Sequence, residues 1–166
     1  FPYTLAGDFY IQKLSIINEI TDFQNESSAV TKNDIDFLPD NLNSSNGQYL
    51  NLNINVLTRE PIYITNSIAD VGFTGNVHVL GGEKDVRLDG KVSLAPRTNT
   101  ISFKNNLFEL SKGNVFFDER SKITNPELDF RANSVIGEHR VTVELLGPVQ
   151  KYKFNLSSEP SLSQSD

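Results

Sequence analysis

Leu50-Asn51-Leu52-Asn53-Ile54-Asn55-Val56 puts an aliphatic side chain at every even position and an amide at every odd one. Successive side chains of a β-strand point to opposite faces, so this segment is a strand with one apolar face and one amide face. Working outward, the same alternation recurs over residues 71–79, 86–94, 101–103, 108–110, 115–117, 128–132, 141–145 and 152–156. Gly, Asn and Pro clusters separate these stretches, and the i, i+3, i+4, i+7 spacing of an amphipathic helix is nearly absent. The chain therefore reads as all-β. One exception is expected: Leu14, Ile17, Ile20 and Phe23 share a helical face, which predicts a short helix over 14–23 after the strand-like Phe9 and Ile11. Residues 24–47, rich in Asn, Ser and Asp, read as a long polar loop.

Turn chemistry then suggests registers. A type I′ turn at Asn105-Asn106 sets Phe103 against Phe108 and Ile101 against Leu110. A second hairpin through Ser111-Lys112-Gly113-Asn114 sets Leu110 against Val115 and Phe108 against Phe117. Upstream, a loop over 95–100 pairs Leu94 with Ile101 and Val92 with Phe103. Downstream, the strand holding Leu128 and Phe130 pairs with the one holding Val143 and Leu145, and that one with the strand of Phe154. If Val79 faces Val86 across a loop over 80–85, Val77 meets Leu88, Phe73 meets Val92 and Gly75 meets Gly90. Facing glycines on an apolar face predict a crease, or the close approach of another backbone or a ligand; punctuation of short strands is the plainer alternative. On the other face the same register brings His78 near Arg87, Asn76 near Asp89 and Thr74 near Lys91. The set is a mostly antiparallel meander with one continuous apolar face, which must be covered. Sandwich, closed barrel and trough all satisfy the pattern.

The 166 residues carry a formal net charge of -6 and contain no Cys, Met or Trp. The 15 basic residues are scattered singly, which argues against a nucleic-acid partner. Without Cys there are no disulfides, thiolate chemistry or Cys-ligated metals. An opening Phe1 and the absence of Met lead us to expect a single domain, 1–166, excised from a longer protein. No apolar run reaches the length of about 18 residues that a membrane-spanning helix needs. Catalytic groups are sparse. His78 and His139 have no ligand-spaced partners, and no nucleophile elbow, phosphate loop or dinucleotide fingerprint occurs. Asp34, Asp36 and Asp40 are interrupted by Phe37-Leu38-Pro39 and lack the Gly and terminal Glu of a calcium loop. Glu127 and Asp129 belong on a polar strand face. We expect neither an enzyme nor a cofactor or metal. Glycosylation-type triplets begin at Asn25, Asn43 and Asn155 and carry weight only in a eukaryotic secretory pathway.

The second half of the chain resembles a known family. The succession Leu88-Asp89-Gly90-Lys91-Val92-Ser93-Leu94, Ile101-Ser102-Phe103, Leu107-Phe108-Glu109-Leu110, Gly113-Asn114-Val115-Phe116-Phe117, Asn125-Pro126-Glu127-Leu128-Asp129-Phe130, Val141-Thr142-Val143 and Leu156-Ser157-Ser158-Glu159-Pro160-Ser161-Leu162-Ser163 is similar to the C-terminal domain of TamB-like proteins, of the AsmA-like group. The order and spacing of these motifs carry the likeness. It covers about residues 68–163, with 50–64 and 1–11 fitting more loosely. The resemblance implies an envelope protein of diderm bacteria, tethered to the inner membrane by an N-terminal segment outside this chain and lying in the periplasm. It implies a β-taco, a curved sheet whose hydrophobic groove corresponds to the trough above. Two roles come with it: passage of phospholipids between the membranes, and assembly of outer-membrane proteins and autotransporters with an Omp85-family partner.

On that reading the groove is lined by Leu52 and Ile54; by Phe73, Gly75 and Val77; by Leu88, Gly90, Val92 and Leu94; by Ile101 and Phe103; by Phe108, Leu110, Val115 and Phe117; and by Leu128, Phe130, Val143, Leu145 and Phe154. Lipid conduction needs a continuous apolar trough, whereas client assembly needs a free strand edge. A closed domain that spaces its neighbours or binds polysaccharide is the third possibility, although Phe116 is the only clear outward-facing ring in the meander.

Overall fold

A computed structural model describes residues 3–17, 50–82 and 85–160. The alternating segments become one 11-stranded sheet. Its strands are β1 (Tyr3–Ile11), β2 (Leu14–Ile16), β3 (Leu50–Thr58), β4 (Ile62–Thr65), β5 (Ala69–Gly82), β6 (Asp85–Leu94), β7 (Thr100–Phe103), β8 (Asn106–Phe117), β9 (Glu127–Ile136), β10 (His139–Pro148) and β11 (Lys153–Glu159). A 3-10 turn over Val149–Lys151 precedes β11. Three short strands prolong a longer one: β2 continues the lane of β1, β4 that of β3, and β7 that of β6. The lanes then run β1/β2, β3/β4, β5, β6/β7, β8, β9, β10, β11. Neighbours are antiparallel except at the first lane, where β1 and β2 run parallel to β3 and β4. β1 and β11 are the two edges among the described residues.

Cross-strand partners share a face, and the apolar face passes from lane to lane through them. Ile54 lies against Val79 and Val56 against Val77; Val79 lies against Leu88 and Phe73 against Leu94. The face continues through Val92 and Val115, Val115 and Leu128, Phe130 and Leu145, and Leu145 and Phe154. The opposite face is a ladder of amides and charges. Asn55 donates to Asp8 at 2.8 Å, Lys112 pairs with Asp129 at 2.6 Å, and Arg131 pairs with Glu144. Solvent-exposed pairs of this kind contribute about 0–1 kcal/mol each, so they set registers more than they hold the fold. The buried core is small: among the described residues it comprises Val71, Ala95, Phe108, Ala132 and Val141. Phe108, Ala132 and Val141 cluster together, with Ile101, Leu110, Ile136 and Val143 packed against them.

Several sequence expectations need correction. Leu14–Ile16 is strand rather than helix, because β4 offers it a backbone ladder; Ile20 and Phe23, like the loop over 24–47, lie outside the described residues. Val79 faces Leu88, not Val86, because β5 runs on to Gly82 before turning. His78 consequently faces Asp89, Asn76 faces Lys91 and Thr74 faces Ser93. Gly75 and Gly90 are therefore not opposite each other; they face Val92 and Val77. The β7–β8 turn is Lys104-Asn105, with φ of 48° and 63°, so Ile101 faces Phe108 and Phe103 faces Asn106. β7 does not pair with β6; it continues that lane and pairs with β5 and β8. Ser111 to Asn114 is no hairpin. β8 runs straight through it, with a bulge between Leu110 and Lys112.

The interruptions fall into a line across the sheet: residues 12–13 in the first lane, 59–61 in the second, 95–99 in the fourth and Ser111 in the fifth. The one at Ser111 is a bulge, which bends its strand and raises its twist. Polar side chains repair the ladder there. Thr58 Oγ1 accepts from the Gly75 amide at 2.9 Å. Asn99 is only 2% exposed. Its Oδ1 accepts from Gly72 N at 2.7 Å, its Nδ2 donates to Ala95 O at 3.1 Å and Arg97 O at 2.8 Å, and its own carbonyl accepts from Leu110 N at 2.8 Å. One buried amide thus joins β5, the 95–99 segment and β8.

Candidate functional site

Period-two alternation, carried through the observed registers, places every groove residue named from the sequence on the same face of the sheet. Leu52 and Ile54 come from β3, and Phe73, Gly75 and Val77 from β5. Leu88, Gly90, Val92 and Leu94 come from β6, and Ile101 and Phe103 from β7. The remainder come from β8 to β11. Parity in β8 changes at the bulge, so Phe108 and Leu110 share this face with Val115 and Phe117 although the first two are even-numbered and the last two odd. Without that extra residue, half the strand would turn its apolar side chains to the charged face.

Gly75, Gly90 and Gly113 on this face are filled by the protein, whereas a Cβ on Gly7 would meet nothing within 4 Å. A Cβ on Gly75 would lie 2.9 Å from both Lys91 O and Val92 Cγ2. One on Gly90, where φ is +138°, would lie 2.3 Å from Asn76 O. One on Gly113 would lie 2.7 Å from Leu94 Cγ. Of the alternatives open at the sequence level, close backbone approach between β5 and β6 describes Gly75 and Gly90.

The sequence reading left the first lane out of the site. Tyr3, Leu5, Phe9 and Ile11 face Leu50, Leu52, Val56 and Thr58, so they extend the same face to the β1 edge. Their odd-numbered spacing is the signal that would have included them. Across the described strands this face carries no Asp, Glu, Lys or Arg; Thr58, Asn106, Ser134, His139 and Ser158 are its polar members. Of the groove residues, Phe108 alone is buried; Phe103 and Phe154 are exposed and the others half-buried. Such an uncharged, incompletely covered face offers apolar contact and no charged group.

Two shallow cavities open on the polar face among the described residues. One, of about 440 Å³, is lined by His78, Leu80, Asp89, Asp118, Glu119 and Arg120. There Arg120 grips Asp118 through its backbone amide (2.8 Å) and guanidinium (3.0 and 2.9 Å), which holds the Asp118 pKa down at about 2. The other, of about 490 Å³, includes Thr100, Leu107, Glu109, Val135 and Arg140. His78 Nε2 sits 2.6 Å from Asn53 Oδ1. His139 Nδ1 sits 2.8 Å from Pro160 O, so this nitrogen carries the proton. Asp129 is held by Lys112, whereas Asp34, Asp36 and Asp40 lie outside the described residues. Among the described residues no three His, Asp or Glu side chains converge to hold a metal ion, and no helix is long and apolar enough to cross a membrane.

Residues 4–166 match the family model of the TamB C-terminal domain. No curated protein sequence matches the chain.

Proposed function

The chain belongs to the TamB C-terminal domain family, and from that premise we propose that its uncharged face binds phospholipid acyl chains as part of a lipid conduit between the envelope membranes. A TamB-like role in building the envelope and outer membrane follows from the family alone. Acyl binding rests on one observation: an apolar face continuous from β1 to β11, without a formal charge and with few side chains fully buried. Each methylene moved out of water contributes about 0.8 kcal/mol, and on a half-open surface about ten of them contribute roughly 4 kcal/mol. Such binding holds a lipid without trapping it, which suits transit along the periplasm. The module works by binding, with no catalytic step.

The test is lipid extraction and mass spectrometry of the domain purified from a membrane-rich host, alongside Val92→Asp and Leu128→Arg variants checked for fold by circular dichroism. Phospholipid is expected with the wild type and lost from the variants. A folded wild type that carries none refutes the reading.

The β11 edge favours a second role. Among the described residues β11 pairs with β10 alone and exposes Phe154 and Leu156. Strand addition there, by an outer-membrane protein client or an Omp85-family partner, would combine a backbone ladder with two apolar anchors. Asn155→Pro removes a ladder donor at the edge, and outer-membrane protein assembly at the wild-type level in that variant sinks this role.

A further inference from the structure

Along most of its length the outer face of the sheet is polar. Thr100, Glu109, Asn133 and Thr142 form one of its rows across β7 to β10. The next row, at the end carrying the β7–β8 and β9–β10 hairpins, breaks the rule. There Ser102 faces Leu107 and Val135 faces Arg140. Leu107 and Val135 line one cavity and are 61% and 71% exposed. The inner face at the same end presents Phe103, 54% exposed, with Lys104 Nζ 5.7 Å from its ring centroid. This end of the sheet thus exposes large apolar side chains on both faces, Leu107 and Val135 outside and Phe103 inside.

We propose that this end is a membrane-contacting tip that enters the interfacial zone of a phospholipid bilayer with zwitterionic headgroups. A protein docking on a sheet covers one face, and a partner strand needs an edge; hairpin tips offer no edge, and both faces here expose apolar side chains. A bilayer interface surrounds what enters it and rewards apolar side chains on every side. Phe103 with Lys104 fits that boundary, the ring going inward while the ammonium stays at headgroup depth. Lys104 and Arg140 form no ion pair among the described residues and stand against Glu138 and Glu159, so the tip's formal charge sums to zero. Glu109 lines the cavity one row inward. A neutral tip on a chain of net charge -6 gains nothing from an anionic surface and matches one carrying both signs.

The chain has no Trp, so Leu107→Trp and Val135→Trp each supply a single reporter at an exposed site. Mixed with phosphatidylcholine vesicles, both reporters are expected to shift to the blue. Adding phosphatidylglycerol or raising the salt should leave the vesicle affinity within about twofold, because no net charge drives binding. A Leu107→Asp, Val135→Asp double variant, folded by circular dichroism, should bind vesicles at least about tenfold more weakly. The proposal is overturned if neither reporter shifts, if binding requires the anionic lipid, or if the reporters are already blue-shifted without vesicles in a concentration-dependent way, which would mark contact with a second copy. Leu107 and Val135 lie on the face away from the acyl-binding groove. The double variant should therefore keep its extracted lipid, and Leu128→Arg should keep vesicle binding, so each reading can fail alone.

Discussion

Replacing Asn99 with Ala is the sharpest test of how the sheet tolerates its line of interruptions. The substitution deletes the acceptor of Gly72 N and the donor to Ala95 O and Arg97 O, while the Asn99 carbonyl keeps its bond to Leu110 N. Arg97 is exposed, so water can satisfy its carbonyl, and the Ala95 carbonyl keeps the bond it accepts from Arg97 N at 2.8 Å, which leaves the buried Gly72 amide as the group without a partner. A buried polar group left without a partner costs about 1–3 kcal/mol, which puts the loss near 2 kcal/mol. That is a large part of a total stability of about 5–15 kcal/mol. At about 2–4 °C per kcal/mol for a chain of this size, the melting temperature should fall by about 4–8 °C. Urea unfolding followed by far-UV circular dichroism measures the change directly. In Asn99→Asp the carboxylate would face two carbonyl oxygens, which raises its folded-state pKa above the unfolded value. Protonation restores a donor, so this variant should be most stable at low pH and lose stability as pH rises through its folded pKa. A loss below about 1 kcal/mol in Asn99→Ala, with an unchanged m-value, would refute the assignment of Asn99 as the ladder's substitute.

Gly90→Ala should destabilise more than Gly113→Ala. The first forces a Cβ to 2.3 Å from the Asn76 carbonyl at a φ of +138°, at a cost of about 3 kcal/mol or more. The second meets the movable side chains of Leu94 and Phe130 and should cost about 1–3 kcal/mol; chemical denaturation ranks the two. Asn105→Gly, at a turn position with φ of 63°, should stabilise by roughly 0.5 kcal/mol, read as a rise in the urea midpoint. Asp118 should titrate at about 2 by carboxyl-carbon NMR, and Arg120→Ala should return it toward 3.8. Because the folded pKa is depressed, its stabilisation is present above 3.8 and lost as the pH falls toward about 2.

The face of each strand was legible because alternation is a property of the strand alone. Val92, Val115, Leu128 and Leu145 sit on the face that period-two spacing assigns them, whichever strands they pair with. Pairing was less legible. A four-residue hairpin at 111–114 and a one-residue bulge at Ser111 both carry the apolar positions from even to odd, so the two cannot be told apart locally. Contacts far along the chain decide: Val115 needs Val92 on one side and Leu128 on the other. The β5–β6 register slipped by two residues because Gly81 and Gly82 read as turn but remain in the ladder, and a two-residue slip leaves every face unchanged. The tip residues Leu107 and Val135 escaped notice because each occupies a polar-face position that alternation assigns to solvent. Asn99 looked like ordinary loop chemistry; its role depends on strands that meet only in three dimensions.

The parallel first lane separates two timescales. From β3 to β11 most neighbouring strands follow one another closely along the chain, so the body of the sheet can grow by short-range closures. β1 meets β3 across a gap of 47 residues (Tyr3 against Leu50, 50 minus 3) and with no hairpin to seed it. Loop closure of that length is entropically costly, and every β1 side chain except Ile11 is exposed, so little burial offsets it. The first lane therefore arrives last during folding and departs first from the folded state. Amide exchange over Tyr3–Ile11 then reports local detachment of that lane, while exchange in β8 and β9 reports global unfolding.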